Sequence, residues 1–152
     1  LTTNTSRVLN GHIHSVFSVA TLNETTIISG GDDDLVRVWD LGSKSCVAVL
    51  RGHTSSVWSV AKLNETTIIS GSGDNTVRVW DLPSQSCVAV LEGHTDCVYS
   101  VAKLNETTIV SGSSDNTVRV WDLDIGRQNK IKREQAAIIQ SSSSTEKRKL
   151  AN

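Results

Sequence analysis

A 41-residue period runs from residue 11 to residue 123 and limits the possible folds of this chain more than any other feature. The pair Gly-His begins at residues 11, 52 and 93, and the pair Trp-Asp follows each of them at one fixed distance. Residues 11–51 and 52–92 are identical at 30 of 41 positions. Segments this similar must have almost the same structure, so the sequence predicts a tandem array of one small unit.

Each unit is predicted to form four short strands. In the second unit, runs of β-branched and aromatic residues alternate with turn-forming residues such as Asn64-Glu65 and Pro83-Ser84, and no helical period competes with this pattern. A four-stranded antiparallel sheet of this length cannot bury both faces alone, so each unit must pack against its neighbours. The predicted strands of the second unit are residues 57–60, 67–70, 76–80 and 87–91.

The four strands, the period near 40 and the Gly-His to Trp-Asp spacing resemble the WD-repeat family over residues 6–123. The resemblance implies an all-β fold built of β-propeller blades, each of four antiparallel strands, with three repeats in an incomplete ring. It also implies a noncatalytic scaffold or adaptor that binds other proteins or peptides.

The predicted organisation has five parts. Residues 1–10 form a terminal strand that completes a neighbouring or last blade, because Ser6 to Asn10 align with Val47 to Arg51. Residues 124–152 form a basic, serine-rich tail with a short helix over 128–140 followed by disorder. The repeats themselves are residues 11–51, residues 52–92, and residues 93–123, the last without its fourth strand.

Three blades cannot close a ring, because propellers typically have about 4 to 8. Two hypotheses follow. The chain, which begins at Leu1, is a piece of a longer propeller that supplies the missing blades, or two chains form a six-bladed homodimer in which each lends residues 6–10 to the other. The first hypothesis is favoured here, although a closed dimer would cover exposed sheet edges.

One polar set in each repeat has the composition of a hydrolase triad. It recurs three times without a Gly-x-Ser-x-Gly motif, which argues against an enzyme, and no cofactor or metal is expected. The WD-repeat resemblance implies instead that these residues and the repeat tryptophan form a buried hydrogen-bonded network, in which losing one tryptophan would cost roughly 3 to 5 kcal/mol. The sets are His12, Ser29, Asp33 and Trp39; His53, Ser70, Asp74 and Trp80; and His94, Ser111, Asp115 and Trp121.

Two positions vary between the repeats and are candidate sites for partner binding. Phe17, Trp58 and Tyr99 occupy one position and are always aromatic. By resemblance they line the channel mouth and anchor a partner, and packing between blades is an equally good interpretation. The second position precedes the turn aspartate and holds Asp32, Gly73 and Ser114.

The short first hairpin, which has no Pro-Asp-Gly turn, resembles the propellers of F-box/WD-repeat ubiquitin-ligase receptors. Those receptors read phosphorylated peptides with arginines. None of the six variable residues above is basic, so a phosphate would find no charged partner at these positions. The alternative function is therefore a ligase substrate receptor, and phosphopeptide binding by these blades is not expected.

Charge and cysteine usage indicate where the protein works. Residues 1–123 carry 8 basic and 13 acidic side chains, so no nucleic-acid partner is expected, and the apolar runs are too short to span a membrane. Three cysteines without a C-x-x-C pair indicate an intracellular, cytoplasmic protein. Basic clusters around Lys132 and Arg148 in the tail add nuclear import as an alternative to a solvated tail.

The triplet Asn-Glu-Thr at residues 23, 64 and 105 also matches an N-glycosylation signal. Each triplet lies at the predicted first hairpin turn, where asparagine is favoured because it tolerates a positive φ. The sequence therefore favours a turn-forming role for these asparagines.

Overall fold

A computed structural model of the protein describes residues 3–150, including the side chains of all of these except residues 125–132. The first repeat forms a four-stranded antiparallel sheet, called blade 1 below, with its strands paired in chain order. Short turns join the strands, and this explains why sequence neighbours are also neighbours in space. Its strands are β1 (Val16–Thr21), β2 (Thr26–Gly31), β3 (Val36–Asp40) and β4 (Ser45–Leu50).

The second and third repeats form blades 2 and 3 in the same order. The all-β fold of propeller-type blades is thus confirmed, with three blades in a row and an open ring among the described residues. Blade 2 contains β5 (Val57–Asn64), β6 (Thr67–Ser72), β7 (Val77–Asp81) and β8 (Ser86–Leu91). Blade 3 contains β9 (Val98–Asn105), β10 (Thr108–Ser113) and β11 (Val118–Asp122).

The core lies between the blades. One cluster joins Val36 and Leu50 of blade 1 to Val57, Ile68 and Trp80 of blade 2, and all five side chains are buried. Because alternate residues of a strand point to opposite sheet faces, each blade offers one apolar face to the blade before it and one to the blade after it. Blade 2 has a neighbour on both sides, and its second strand β6 is therefore the most completely buried strand.

Blade 3 has three strands, in the order β11-β10-β9, within the part of the chain that the structure describes. Residues 3–10 lie in no strand. The predicted role of residues 1–10 as a terminal strand for another blade stays a prediction, and residues 1 and 2 lie outside the described range.

The hairpin-turn asparagines do not adopt the left-handed backbone expected of them. The non-glycine residues that have a positive φ lie at other turns, and Asn23, Asn64 and Asn105 do not belong to this set. Asn23 instead accepts a hydrogen bond at Oδ1 from the backbone N–H of Thr25, at 2.9 Å. The turns thus use the asparagine side chain as a local acceptor and need no unusual φ. The residues with positive φ are Asp34, Lys44, Asn75, Gln85 and Asn116.

The chain after Trp121 forms a second compact unit. Its helix α1 (Ile125–Leu150) is longer than the predicted segment 128–140 and includes residues 141–150, which were expected to be disordered. No proline interrupts this segment, and serine lowers helix stability far less than proline does. Lys147, Arg148 and Lys149 in the last turn also interact favourably with the helix dipole.

Within residues 3–150, no helix combines the length and apolar character that crossing a membrane requires.

Candidate functional site

In blade 2, four side chains from four parts of the repeat meet in one chain of hydrogen bonds. The indole Nε1 of Trp80 on β7 lies 2.8 Å from Ser70 Oγ on β6. Ser70 Oγ lies 2.7 Å from His53 Nε2, and His53 Nδ1 lies 2.7 Å from Asp74 Oδ2. Two of these residues lie on strands and two on the loops before β5 and after β6. The hydrogen bonds therefore tie both loops to the sheet.

One arrangement of protons satisfies every group in this chain. The indole N–H of Trp80 donates to Ser70, the Ser70 hydroxyl donates to His53 Nε2, and His53 Nδ1–H donates to the carboxylate of Asp74. A neutral imidazole with its proton on Nδ1 is the form that fits. Because each buried donor has an acceptor, the network avoids the cost of unpaired polar groups.

The same contacts occur in the other two blades. In blade 1, His12 Nε2 lies 2.7 Å from Ser29 Oγ, and in blade 3, His94 Nε2 lies 2.8 Å from Ser111 Oγ. The structure thus brings together the members of all three predicted sets, in the same order of contacts in each blade. The remaining links are Trp39 to Ser29, His12 to Asp33, Trp121 to Ser111, and His94 to Asp115.

The aspartates of these sets stay ionised over an unusually wide pH range. Burial alone would raise the pKa of Asp74, but hydrogen bonds from His53 and from the Thr76 hydroxyl hold it well below its usual value. The Thr117 hydroxyl is the main cause of a similarly depressed pKa at Asp115. Blade 1 has Leu35 at the equivalent position, which offers its backbone N–H alone.

The sequence did not point to these threonines. Thr76 and Thr117 each donate a hydroxyl to the turn aspartate at 2.6 Å, and they recur one period apart. That recurrence is the signal that could have identified them.

A second feature missed in the sequence explains the glycine of the Gly-His pair. The guanidinium carbon of Arg78 lies 5.9 Å from the centre of the Trp80 ring system, and the pair packs against the backbone of Gly52. A Cβ on Gly52 would lie 2.7 Å from Arg78 Nη1 and 3.2 Å from the Trp80 ring. A side chain at this point would require Arg78 to move from its place over the Trp80 ring.

The Ser–His–Asp geometry matches that of a hydrolase triad, but the serine is inaccessible. Ser70 has no exposed surface and already accepts a hydrogen bond from Trp80. A nucleophile must reach the substrate, and this hydroxyl is enclosed between blades. The arrangement can therefore brace the loops, while the serine cannot attack a bound molecule.

The three variable aromatic residues form one continuous row across the blades, called the aromatic row below. The Phe17 and Trp58 rings are stacked with their centres 4.2 Å apart, and Tyr99 meets Trp58 edge-on at 5.2 Å. Phe17 and Tyr99 are exposed, and Trp58 is half-buried. Both interpretations of these positions thus have geometric support, since the rings pack between blades and also face solvent.

Each ring of the aromatic row stands on a β-bulge. The pairing of β5 with β6 shifts between Val57 and Ser59, which leaves Trp58 as the extra residue, and the same shift occurs around Phe17 and Tyr99. A bulge turns its extra side chain away from the regular alternation of the strand. The sequence shows the aromatic residues but not the bulges that aim them.

The second variable position lies beside the aromatic row at the same end of the blades. The first strand of each blade (β1, β5 or β9) is called its inner strand below. The backbone N–H groups of Asp32, Gly73 and Ser114 donate to carbonyls just before the inner strands, at 2.9, 2.9 and 3.1 Å. A Cβ on Gly73 would lie 3.4 Å from the Trp58 indole nitrogen. The structure thus places all six candidate partner-binding residues at one end of the array, and their role in binding stays a prediction.

The chemistry of this end is apolar and neutral to acidic. Asp32 accepts a short hydrogen bond from Ser56 of the next blade. The pKa of Tyr99 is raised above its usual value, chiefly by the electrostatic interaction with the adjacent Cys97. Among the side chains of residues 3–124 and 133–150, no group of three or more potential ligands is arranged to hold a metal ion.

Stacked antiparallel sheets, each braced by the same four-residue network, define a repeat protein of the β-propeller class. The family model "WD domain, G-beta repeat" matches residues 3–40, 44–81 and 85–122. The chain belongs to this WD-repeat family, whose repeats form a protein-interaction kind of domain. A comparison with proteins of curated function gave no significant match.

Proposed function

We propose that this protein is a noncatalytic scaffold or adaptor that binds other proteins or peptides at the end of the blades carrying the aromatic row. The continuous contact of Phe17, Trp58 and Tyr99 is the observation that carries the proposal. Large rigid rings grouped in this way are typical anchors of protein interfaces, since they provide contact area at a small cost in conformational entropy.

The chemistry around the row favours an apolar or aromatic partner segment over a phosphorylated one. Asp32, Gly73 and Ser114 offer no cation, and a phosphate is bound in proteins chiefly through arginine, lysine or a helix N-terminus. An aliphatic side chain from a partner would instead cover exposed parts of Phe17 and Tyr99.

The buried position of Ser70 supports a noncatalytic role. Its equivalents Ser29 and Ser111 are also enclosed, and all three accept the indole N–H of their repeat tryptophan. A hydrolase would need one of these serines to be accessible and different from the others.

The alternative function is substrate recognition for a ubiquitin ligase of the F-box/WD-repeat type. The short turns between the first two strands of each blade favour it, as at Leu22, whose N–H bonds to the carbonyl of Thr26 at 2.9 Å. An F-box-like helical segment joined to these blades in the full-length product would support the alternative.

We place the working compartment inside the cell, in the cytoplasm, with the basic tail as a route to the nucleus. The free thiols of Cys46, Cys87 and Cys97 support this proposal. Lys130 and Lys132 belong to the first basic cluster of the tail, and the structure does not describe their side chains.

The binding proposal is tested by comparing partners captured by the unchanged chain with those captured by Phe17→Ala and Tyr99→Ala. Loss of an aromatic anchor weakens a typical interface by about 2 kcal/mol or more, or roughly 30-fold, so a true partner should be lost from both variants. The matched control is Val47→Ala, an exposed apolar residue on the outer strand β4.

A protein that the unchanged chain and Val47→Ala both retain, and that both aromatic variants lose, supports the proposed site. Equal retention by all four proteins would move the binding site elsewhere on the molecule. Direct titration of the recovered partner by calorimetry then measures the loss of affinity.

A further inference from the structure

Successive blades are joined by the same contacts twice. The backbone N–H of Val60 in blade 2 donates to Ser18 Oγ in blade 1 at 3.1 Å, and the N–H of Val101 in blade 3 donates to Ser59 Oγ in blade 2 at 3.1 Å. Donor and acceptor are 42 residues apart in both cases. The chain therefore contains one type of blade interface in two copies.

The apolar part of this interface is a pair of valines packed over a glycine. A Cβ on Gly30 would lie 2.5 Å from Val57 Cγ1 and 3.1 Å from Val60 Cγ1. A Cβ on Gly71 would meet the equivalent valines of blade 3 at 2.7 and 3.0 Å. The second strand of each blade thus needs glycine wherever the next blade follows closely.

The face of blade 3 that points away from blade 2, called the trailing face below, presents this socket without the valines. A Cβ on Gly112, the equivalent of Gly30 and Gly71, would meet no atom within 4 Å. Val118 is 76% exposed, whereas Val36 and Val77 at the same position of the other blades are fully buried. Leu104 and Val120 of the same face are also exposed.

The opposite face of blade 1, called the leading face below, presents the valines without a socket. Val19 is 68% exposed, whereas its equivalents Val60 and Val101 are 5% and 6% exposed. Val16 is exposed as well. A recess of about 240 Å³ beside Val16, Val19 and Trp39 lies where the preceding blade would pack.

Among the described residues, the fourth, outer strand of a blade is also missing from one end of the chain and has a counterpart at the other. The family model aligns residues 3–40 with residues 44–81, so residues 6–10 correspond to residues 47–51, which lie mostly in β4. In blade 1, Val36 of β3 pairs with Leu50 of β4. In a complete blade 3, the equivalent position beside Val118 of β11 would be filled by a residue corresponding to Leu9, and β11 lies at the edge of its sheet.

We propose that the trailing face of one copy of this chain binds the leading face of a second copy, with residues 6–10 of the second copy added to β11 as the fourth strand of blade 3. A second copy is the occupant that the structure favours, because Val16 and Val19 of the leading face are equivalent to the valines that pack over Gly30 and Gly71, and Gly112 of the trailing face is equivalent to those glycines. The contact continues an interface that the chain already contains twice. This inference does not depend on the proposed function.

Two copies joined in this way have two such contacts and six blades. Six lies within the range of about 4 to 8 blades that closed propellers adopt. Each contact joins unlike faces, and the pair closes when the second contact forms, so association stops at two copies. Closure also covers both sheet faces and pairs the edge of β11.

The test is the mass in solution of the full 152-residue chain, by light scattering after size exclusion and by sedimentation over a range of concentrations. We expect a species of twice 16.4 kDa that does not grow further as concentration rises. A chain that stays at 16.4 kDa at every concentration, or that forms ever longer species, overturns the closed pair.

The variant Gly112→Val fills the socket in a chain where it meets nothing, so the single copy should fold normally. In the pair, its side chain would overlap the second copy's valines and weaken association roughly tenfold or more. Val19→Asp acts on the other face by placing a charge in the contact. The control is Val90→Asp, an exposed valine of the middle blade, which should leave the pair intact.

Mixing the two defective variants distinguishes contact between unlike faces from contact between like faces. Val19→Asp retains a sound trailing face and Gly112→Val a sound leading face, so the mixture should recover one of the two contacts and form a mixed pair. If each variant alone still forms pairs, or if the mixture stays entirely as single chains, the proposed arrangement is wrong. Circular dichroism of each variant verifies that it is folded.

Discussion

Ser70 holds the centre of the blade 2 network, because its single oxygen accepts from the Trp80 indole and donates to His53. Trp80 and His53 are both buried, and the indole N–H of the one and the Nε2 of the other are paired with this one hydroxyl. The serine is therefore the residue at which a small change removes the most hydrogen bonding, while the volume of the core hardly alters.

The variant Ser70→Ala should lower the free energy of unfolding by about 2 to 4 kcal/mol, because it leaves a buried indole N–H and a buried imidazole nitrogen without partners. Urea unfolding followed by tryptophan fluorescence measures the loss. The exposed Ser86→Ala serves as control and should change stability by less than about 0.5 kcal/mol. Equal stability of the two variants would mean that the network contributes nothing to folding.

The depressed pKa of Asp74 makes stability depend on pH in a defined direction. The unfolded carboxyl takes up its proton near pH 3.8, whereas the pKa of the folded one is lower. The stabilising contribution is therefore complete above the unfolded pKa and is lost as the pH falls from there through the folded pKa. The variant Asp74→Asn should therefore show a smaller drop in the free energy of unfolding between neutral pH and pH values near 3. The exposed Glu92→Gln is the control and should keep the full drop.

The first strand of one blade packs against the second strand of the preceding blade, and this contact interrupts the regular pattern of both strands. The valine pair of one blade lies over the glycine of the preceding blade, and the bulge in the same strand turns an aromatic residue to the end of the array. The regular alternation of buried and exposed residues therefore stops where two blades come closest.

The variants Gly30→Ala and Gly71→Ala should each destabilise the blades by about 1 to 3 kcal/mol, because the added methyl group overlaps a valine of the next blade. Thermal and urea unfolding report the change. Gly42→Ala, in a turn where the nearest atom is 3.4 Å away, is the matched control. An equal effect at all three positions would show that backbone flexibility, rather than close packing, requires these glycines.

Helix α1 extends ten residues beyond the end that the sequence predicts, to Leu150. The variant Ser143→Pro distinguishes the two lengths, because proline inside a helix costs about 3 kcal/mol. If the helix continues to Leu150, the variant should lose part of the signal at 222 nm in circular dichroism. The matched control is Ser143→Ala, which suits a helix and should keep the full signal. An unchanged signal in the proline variant would place the end of the helix before residue 143.

The sequence predicted the blades well because a repeated hydrophobic pattern fixes the strands, and the WD-repeat resemblance named the four residues that meet in each network. It could not show the bulges under Phe17, Trp58 and Tyr99, because a bulge depends on pairing with another strand. It also placed left-handed backbone at Asn23, where a side-chain hydrogen bond forms the turn instead. Local propensity describes single strands better than it describes their contacts.

At the scale of the whole molecule, the blades differ in how well they are covered. Blade 2 is enclosed on both sides, whereas blades 1 and 3 each have one open face in the single chain. Because buried hydrogen bonds open less often than exposed ones, the three near-identical units should differ in local stability.

Hydrogen exchange of the Gly112→Val variant, at a concentration where light scattering shows single chains, should show the slowest amides in β6 and β7 of blade 2. The equivalent strands of blades 1 and 3 should exchange faster, although their sequences are almost the same. In the unchanged chain, pairing of two copies should reduce this difference. Uniform protection in the single-copy variant would contradict the dependence of each blade on its neighbours.

The constant offset of 42 residues between donor and acceptor at both blade interfaces has a consequence for how such a chain can change in length. A duplicated or deleted module of about one sequence period brings its own donor, acceptor, glycine and valines, so the new junctions reproduce the old ones. Gain or loss of a whole module therefore alters the length of the array while leaving every local junction, and with it the turn from one blade to the next, unchanged.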